Sequence, residues 1–239
     1  MSRNFEVLDS RATALGELTL RRRRILSLGK EVFEVQLGEA FLMSSLFHEV
    51  EEALAQLGLA ELKGEDWDVV VGGLGLGYTA AAALRHPQVR SLRVIEFLAP
   101  VIEWHRQAMV PLGATLTSDP RCRFVEADFF ATALSEAGFD AEQPGRLFDA
   151  VLLDIDHSPE NLLHSSNAAF YQPAGLQALA RHVRAGGVFG LWSDDQPDES
   201  FLQAIGTAFE DVRAHEVTFA NPLLEGDSAS TVYLARKGS

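Results

Sequence analysis

A chain of 239 residues, 47% hydrophobic and 23% charged, can bury a full core, which excludes a disordered polypeptide and points to one main domain with a small appendage. Its formal net charge of −14 argues against nucleic acid or an anionic membrane as partner, because clustered Lys and Arg drive phosphate binding; a cationic substrate or a merely solvated acidic surface both remain open. Cys122 is the only cysteine, so neither an intrachain disulfide nor a Cys-based metal cluster is expected.

The N-terminal MSRNFEVLDS has no apolar targeting core, and no apolar run approaches the ~20 residues needed to span a bilayer, so a cytoplasmic protein is expected. Residues 1–43 read as a small β-meander, with LGELTLRRRR, EVFEVQLG and AFLMSS as its alternating segments. A strand sends Arg21 to Arg24 to both faces, and an exposed edge or a subunit contact is the expected setting for them. Residues 44–65 read as a linking amphipathic helix, with Ser at its N-cap and Leu46, Val50, Leu54 and Leu57 on one stripe.

From residue 66 to 239 strands and helices alternate. Strands are expected at 67–72, 91–96, 122–127, 148–154 and 187–192, with helices at 78–85, 100–110, 130–137, 173–183 and 199–209. Two closing segments, VRAHEVTF and STVYLAR, have no helix between them and imply an antiparallel hairpin at one edge of a mainly parallel sheet. In such a sheet a ligand lies beyond the carboxyl ends of the strands.

The first of those ends is VVVGGLGLGYTAAAAL. Three valines, a glycine turn and an alanine-rich helix would aim backbone N–H groups at a ligand over Gly73, Gly75 and Gly77. The dinucleotide fingerprint G-x-G-x-x-G fails here, because Tyr78 holds its third glycine position. G-x-G-x-G is the spacing met in S-adenosylmethionine-binding folds, although a glycine turn can also serve strand–helix packing alone.

The second strand ends in Glu96, placed to accept from ribose hydroxyls or simply to open the next helix. Asp128 ends the third strand, where it can accept from an adenine amino group with Phe129 or Phe130 covering the ring, or cap a helix. The fourth ends in DIDHSP, whose Asp154, Asp156 and His157 can bind a metal, deprotonate a nucleophile or hold an amine; an Asp-Pro turn is the bland reading. No further ligand motif accompanies them, so no metal is expected. Asp194 and Asp195 lie after the fifth strand, on the same rim or at a helix cap.

Together these residues resemble the spermidine synthase-like (polyamine aminopropyltransferase) family within the class I S-adenosylmethionine-dependent methyltransferase fold. The resemblance implies a Rossmann-like, mainly parallel seven-stranded sheet with a small N-terminal β-rich subdomain, and a homodimer. It also implies that Gly73, Gly75, Gly77, Glu96, Asp128 and Asp154 hold and use a nucleoside. The family's turn reads G-G-G-D-G-G, and Gly75 replaces its Asp, which implies tolerance of intact S-adenosylmethionine. In MSSLFHE, Phe47 replaces the family's Tyr, and Met43 and Ser44 replace its acids, while Glu49 is kept beside His48.

The reading that follows is a transferase using S-adenosylmethionine, with methyl transfer to an unknown small molecule first. Asp154 would orient or deprotonate the acceptor, helped by Asp156, His157, His48 and Glu49. The alternative is aminopropyl transfer from decarboxylated S-adenosylmethionine to a diamine. A non-catalytic nucleoside-binding or assembly protein is the third reading.

Overall fold

The computed structural model describes residues 4–224 and 226–238; residues 1–3 of the expected meander lie outside the described residues. Strands β1 (Phe5–Thr13), β2 (Gly16–Ile25), β3 (Lys30–Leu37) and β4 (Ala40–Ser44) form an antiparallel four-stranded sheet in sequence order. β2 is an interior strand, so the arginine run does not lie on an edge. The strand period puts Arg21 and Arg23 on one face, and the Nε of each lies 2.6 Å from a different oxygen of Glu34, which is 1% exposed on β3. Arg22, on the other face, reaches Glu6 at 2.6 Å.

The linking helix begins later than its hydrophobic stripe implies. α1 spans Glu49–Ala60 with His48 at its N-cap position, leaving Leu46 outside. Ser44 belongs to β4, and Ser45 Oγ accepts from the Phe33 N–H at 2.9 Å, so the serines close the meander instead of capping the helix.

The remaining elements are β5 (Trp67–Gly72), α2 (Tyr78–Leu84), β6 (Val89–Glu96), α3 (Ala99–Arg106), α4 (Gly113–Ser118), β7 (Cys122–Glu126), α5 (Phe129–Leu134), β8 (Phe148–Leu153), a 3-10 turn (Ser165–Ala169), α6 (Pro173–Ala180), β9 (Val183–Ser193), α7 (Glu199–Ile205), β10 (Glu210–Ala220) and β11 (Asp227–Arg236). The helix expected over 100–110 stops at Arg106, because Ala108 takes a φ of 53°, and α4 follows separately.

The strands assemble in the order β10-β11-β9-β8-β5-β6-β7, and β11 runs antiparallel to both of its neighbours. This is the mixed α/β, mostly parallel seven-stranded sheet of class I methyltransferase-like folds. Its continuous apolar strands are explained by helices on both faces. Val69 and Val71 of β5 enter the core under α1 and α2, whereas Val70 points to the other face with Phe129, Phe148 and Phe170.

Two features fix the site's surroundings. The four-stranded sheet docks on α3 through Trp104 Nε1–H to Asp9 Oδ2 at 2.7 Å and Arg11 to Glu103 at 2.5 Å. At the amino ends of the strands Asp68 gathers Arg90, Arg146 and Arg184 at 2.5, 2.9 and 3.2 Å, an ion cluster on the side of the sheet away from the glycine turn.

Candidate active site

Parallel pairing brings the carboxyl ends of β5, β6, β7 and β8 into line: Gly72 pairs with Ile95 and Leu153, and Glu96 with Glu126. The crossing bonds lock them there, with the N–H of Gly73 donating to Ile95 O at 2.9 Å and that of Asp154 to Gly72 O at 2.8 Å. Gly73 has φ 93°, and a Cβ on it would collide with the carbonyl oxygen of Asp154, so only glycine lets the turn run against the end of β8. Gly77, at φ 94°, is the N-cap residue of α2.

Two cavities open above these ends. The first, about 340 Å³, is lined by Gly73, Gly75, Glu96, Asp128, Phe129 and Asp154 and is reached by Ala14 and Leu15 of the β1–β2 turn. The second, about 470 Å³, is lined by residues that include His48, Glu49, Glu51, Asp154, His157 and Asp194. Met43, Asp154, Ile155 and Leu163 line both, so these four form the shared wall. Nearly every expected site residue therefore falls on one of two adjoining chambers.

In the first chamber Glu96 is only 9% exposed. Its Oε2 accepts from the Leu74 N–H at 3.0 Å and its Oε1 from the Leu98 N–H at 2.7 Å. Burial pushes its carboxyl upward while these backbone N–H groups oppose the shift. Asp128 Oδ1 accepts from the N–H groups of Phe130 and Ala131 at 2.9 and 3.1 Å, the N-cap of α5. Phe129 is 2% exposed, stacked on Phe139 and pressed against Gly72, so its ring belongs to the core beneath the cavity floor.

In the second chamber the chemistry gathers around two carboxylates. Asp154 Oδ2 accepts from the Thr79 hydroxyl at 2.6 Å, and the same hydroxyl oxygen lies 3.3 Å from the carbonyl of Glu51 in the first turn of α1. Burial pushes Asp154 up to about 6 against the pull of Thr79. Burial and the Asp154 charge push Glu51 up to about 8. Both carboxyls of the pair are therefore held above the ordinary carboxylate range. His48 stacks on Tyr78 at 4.2 Å with Nδ1 3.1 Å from Glu52, and Glu49 accepts from the His48 N–H at 2.9 Å.

Asp156 does not join them. It is 2% exposed and lines neither chamber: Oδ1 accepts from the Leu163 N–H at 2.7 Å, and Oδ2 accepts from the Tyr171 hydroxyl at 2.8 Å. Asn167 Nδ2 adds bonds at 3.0 and 3.1 Å. Its expected part in catalysis is corrected to that of an anchor for the loop between β8 and α6. His157 faces the second chamber, as does Asp194, whereas Asp195 is not on its wall; the cap of α7 is Asp198.

Sequence reasoning passed over Glu51, Thr79 and His105. In HEVEEAL three acids share one helical turn, and only the packing of α1 on the sheet decides that Glu51 faces Asp154. His105 is fully buried with Nε2 2.9 Å from the Gly75 carbonyl oxygen. Burial lowers its basicity, so it is a neutral ring donating Nε2–H to that carbonyl and bracing the glycine turn from α3. Among the described residues no group of three His, Cys, Asp or Glu side chains is arranged to hold a metal ion, and no helix is long and apolar enough to cross a membrane.

No family model matches the chain. Among solved structures it is similar to the spermidine synthase of Thermotoga maritima, with a TM-score of 0.72 at 18% identity over 97% of this chain and 72% of that one. A spermidine synthase in complex with the transition-state analogue AdoDATO gives the same values, 0.72 and 18% over 97% and 72%. The two-sheet arrangement is thus shared along nearly the whole length, and the chain has the fold of the spermidine synthases.

Proposed function

We propose that the protein transfers an alkyl group from an adenosyl sulfonium to an amine, and that aminopropyl transfer from decarboxylated S-adenosylmethionine to a diamine is its reaction. The observation that carries this is that Asp154, on the wall where the two chambers meet, is paired with the Glu51 carboxylate of the second chamber. An amine is protonated at neutral pH and nucleophilic only after losing that proton, and a carboxylate titrating near neutrality both attracts the ammonium and takes its proton. The second chamber adds Glu49 and Asp194 and, among the described residues, has no Lys or Arg on its wall. Spermidine synthases, one solved with AdoDATO, share the fold, which supports the aminopropyl donor over a methyl donor.

The first chamber fits the donor's nucleoside. Its volume of about 340 Å³ lies within the range of small-ligand sites of roughly 300–1,000 Å³. Glu96 would accept from the ribose hydroxyls with the lone pairs its backbone bonds leave, Asp128 from the adenine amino group through Oδ2, and Gly73 and Gly75 would let the ligand approach the turn. A bound adenosyl sulfonium supplies an electrophilic carbon and a neutral thioether leaving group. Asp154 takes a proton from the ammonium held beside Glu51, and the lone pair so freed then forms the C–N bond as the C–S bond breaks and the neutral thioether leaves. His48, Glu49 and His157 line the acceptor's path.

Methyl transfer from intact S-adenosylmethionine is the second reading, and Gly75 favours it. Met43, not a carboxylate, covers that glycine, so nothing at this point of the turn repels the carboxylate of the intact donor. Product analysis separates the two. With decarboxylated S-adenosylmethionine and putrescine, release of methylthioadenosine and a triamine is the expected result; S-adenosylhomocysteine from the intact donor, with no methylthioadenosine from the other, would replace aminopropyl by methyl transfer. No product from either donor with any amine, together with binding of both, would leave a nucleoside-binding protein.

A further inference from the structure

Donor and acceptor occupy different chambers, so the group that moves must cross the wall they share. In-line displacement needs the reacting atoms within ~3–3.5 Å, which confines the transferred carbon to the gap framed by Met43, Asp154, Ile155 and Leu163. Three of these side chains are apolar and form a collar; the fourth is the carboxylate. Ile155 and Leu163 sit on the loop that Asp156 anchors, with the Leu163 N–H bonded to it at 2.7 Å. Met43 comes from a different sheet, on β4, and its thioether end lies over the glycine turn, where a Cβ at Gly75 would come 2.7 Å from its Sδ.

We propose that Met43 is the size-determining residue of this passage and sets which S-alkyl group the nucleoside chamber accepts. The inference rests on the adenosyl-sulfonium reading above and adds to it a specificity element contributed by the N-terminal sheet. An unbranched thioether with three rotatable bonds fills the gap without a fixed shape, so the group that fits is limited by the volume Met43 occupies and by no hydrogen bond. Shortening the side chain widens the collar toward the second chamber, and an aromatic ring there narrows it. The loop and the carboxylate pair are left in place by either change.

The test uses two neutral probes that differ only in the alkyl group, methylthioadenosine and butylthioadenosine, titrated calorimetrically into the intact protein. Discrimination by apolar volume is worth about tenfold or more, so Met43→Ala is expected to raise butylthioadenosine affinity relative to methylthioadenosine by about tenfold. Met43→Phe is expected to move the same ratio the other way, and serves if the alanine variant fails to fold. A ratio unchanged in a folded variant that still binds methylthioadenosine would overturn the role of Met43 while leaving the functional reading intact. Failure of the unaltered protein to bind either thioether would bring down the functional reading, and this inference with it.

Discussion

The Thr79 hydroxyl donates to Asp154 Oδ2 across 2.6 Å, tying the start of α2, just after the glycine turn, to the end of β8. It is the bond that opposes burial in setting the proton affinity of Asp154. Thr79→Val keeps the shape and removes the donor, so the Asp154 carboxyl shifts further upward and less of it is ionised at neutral pH. A hydrogen bond to a charged group contributes about 1.5–3 kcal/mol, so the ionised fraction of Asp154, and with it kcat/KM near neutrality, should fall by about two- to tenfold. The acidic limb of the pH profile moves to higher pH, and Thr79→Ser restores it. An unmoved limb would show that Asp154 is not the group that must lose a proton.

Glu51 and Asp154 make stability depend on pH in a definite direction. Both folded-state values lie above the unfolded ones, near 8 and 6, so between the ordinary carboxylate range and about 8 the folded chain holds protons that the unfolded chain has lost. Stability from this pair is present at low pH and declines as pH rises through that window. Denaturant titration at about pH 5 and about pH 8.5 should show the decline, and Glu51→Gln should flatten it, because the amide cannot ionise. An equal slope in the variant would remove Glu51 from the pair.

Gly73 and Gly75 both have positive φ, 93° and 46°, yet they differ in what they face. A Cβ on Gly73 meets the backbone oxygen of Asp154, which cannot yield without breaking the strand end. On Gly75 it meets the flexible end of Met43, which can swing away. Gly73→Ala should therefore destabilise by several-fold more than Gly75→Ala, whose cost is the ~1 kcal/mol of left-handed backbone. Thermal melts of the two variants compare them directly, and equal melts would mean that the turn relaxes as a whole.

The fold was legible where periodicity and punctuation agree. The valine run, the glycine turn, Glu96, Asp128 and Asp154 mark four parallel strand ends, although the order of the strands in the sheet comes from the structure alone. Less was legible where a side chain's role depends on a neighbour remote in sequence. Asp154 and Asp156 are two residues apart and look alike, but at the end of β8 the first opens onto the chambers, while the second turns under the loop to meet Asn167 and Tyr171. His105 stands thirty positions from the carbonyl it braces. Glu51 is one of three acids in a single turn, and only the approach of α1 to β8 selects it. The arginine run reads as an exposed stripe until Glu34, itself inconspicuous, is found buried between Arg21 and Arg23.

Asp156 supplies the sharpest contrast with its neighbour. Burial raises its carboxyl, opposed by the Leu163 N–H, Tyr171 and Asn167, while burial and the adjacent carboxylate hold the Tyr171 hydroxyl protonated as a donor. Asp156→Ala strands three donors, two of them buried side chains, and each unsatisfied group costs about 1–3 kcal/mol. The loss should be local first, because these bonds hold the loop that carries Leu163 into the shared wall. Hydrogen exchange over residues 157–171 is expected to accelerate while the strands stay protected, and amine KM should rise more than kcat falls. Asp154→Asn is expected to do the reverse, with unchanged exchange and kcat near background. If Asp156→Ala instead abolished kcat with the loop still protected, Asp156 would have to act on the reacting atoms and not through the loop.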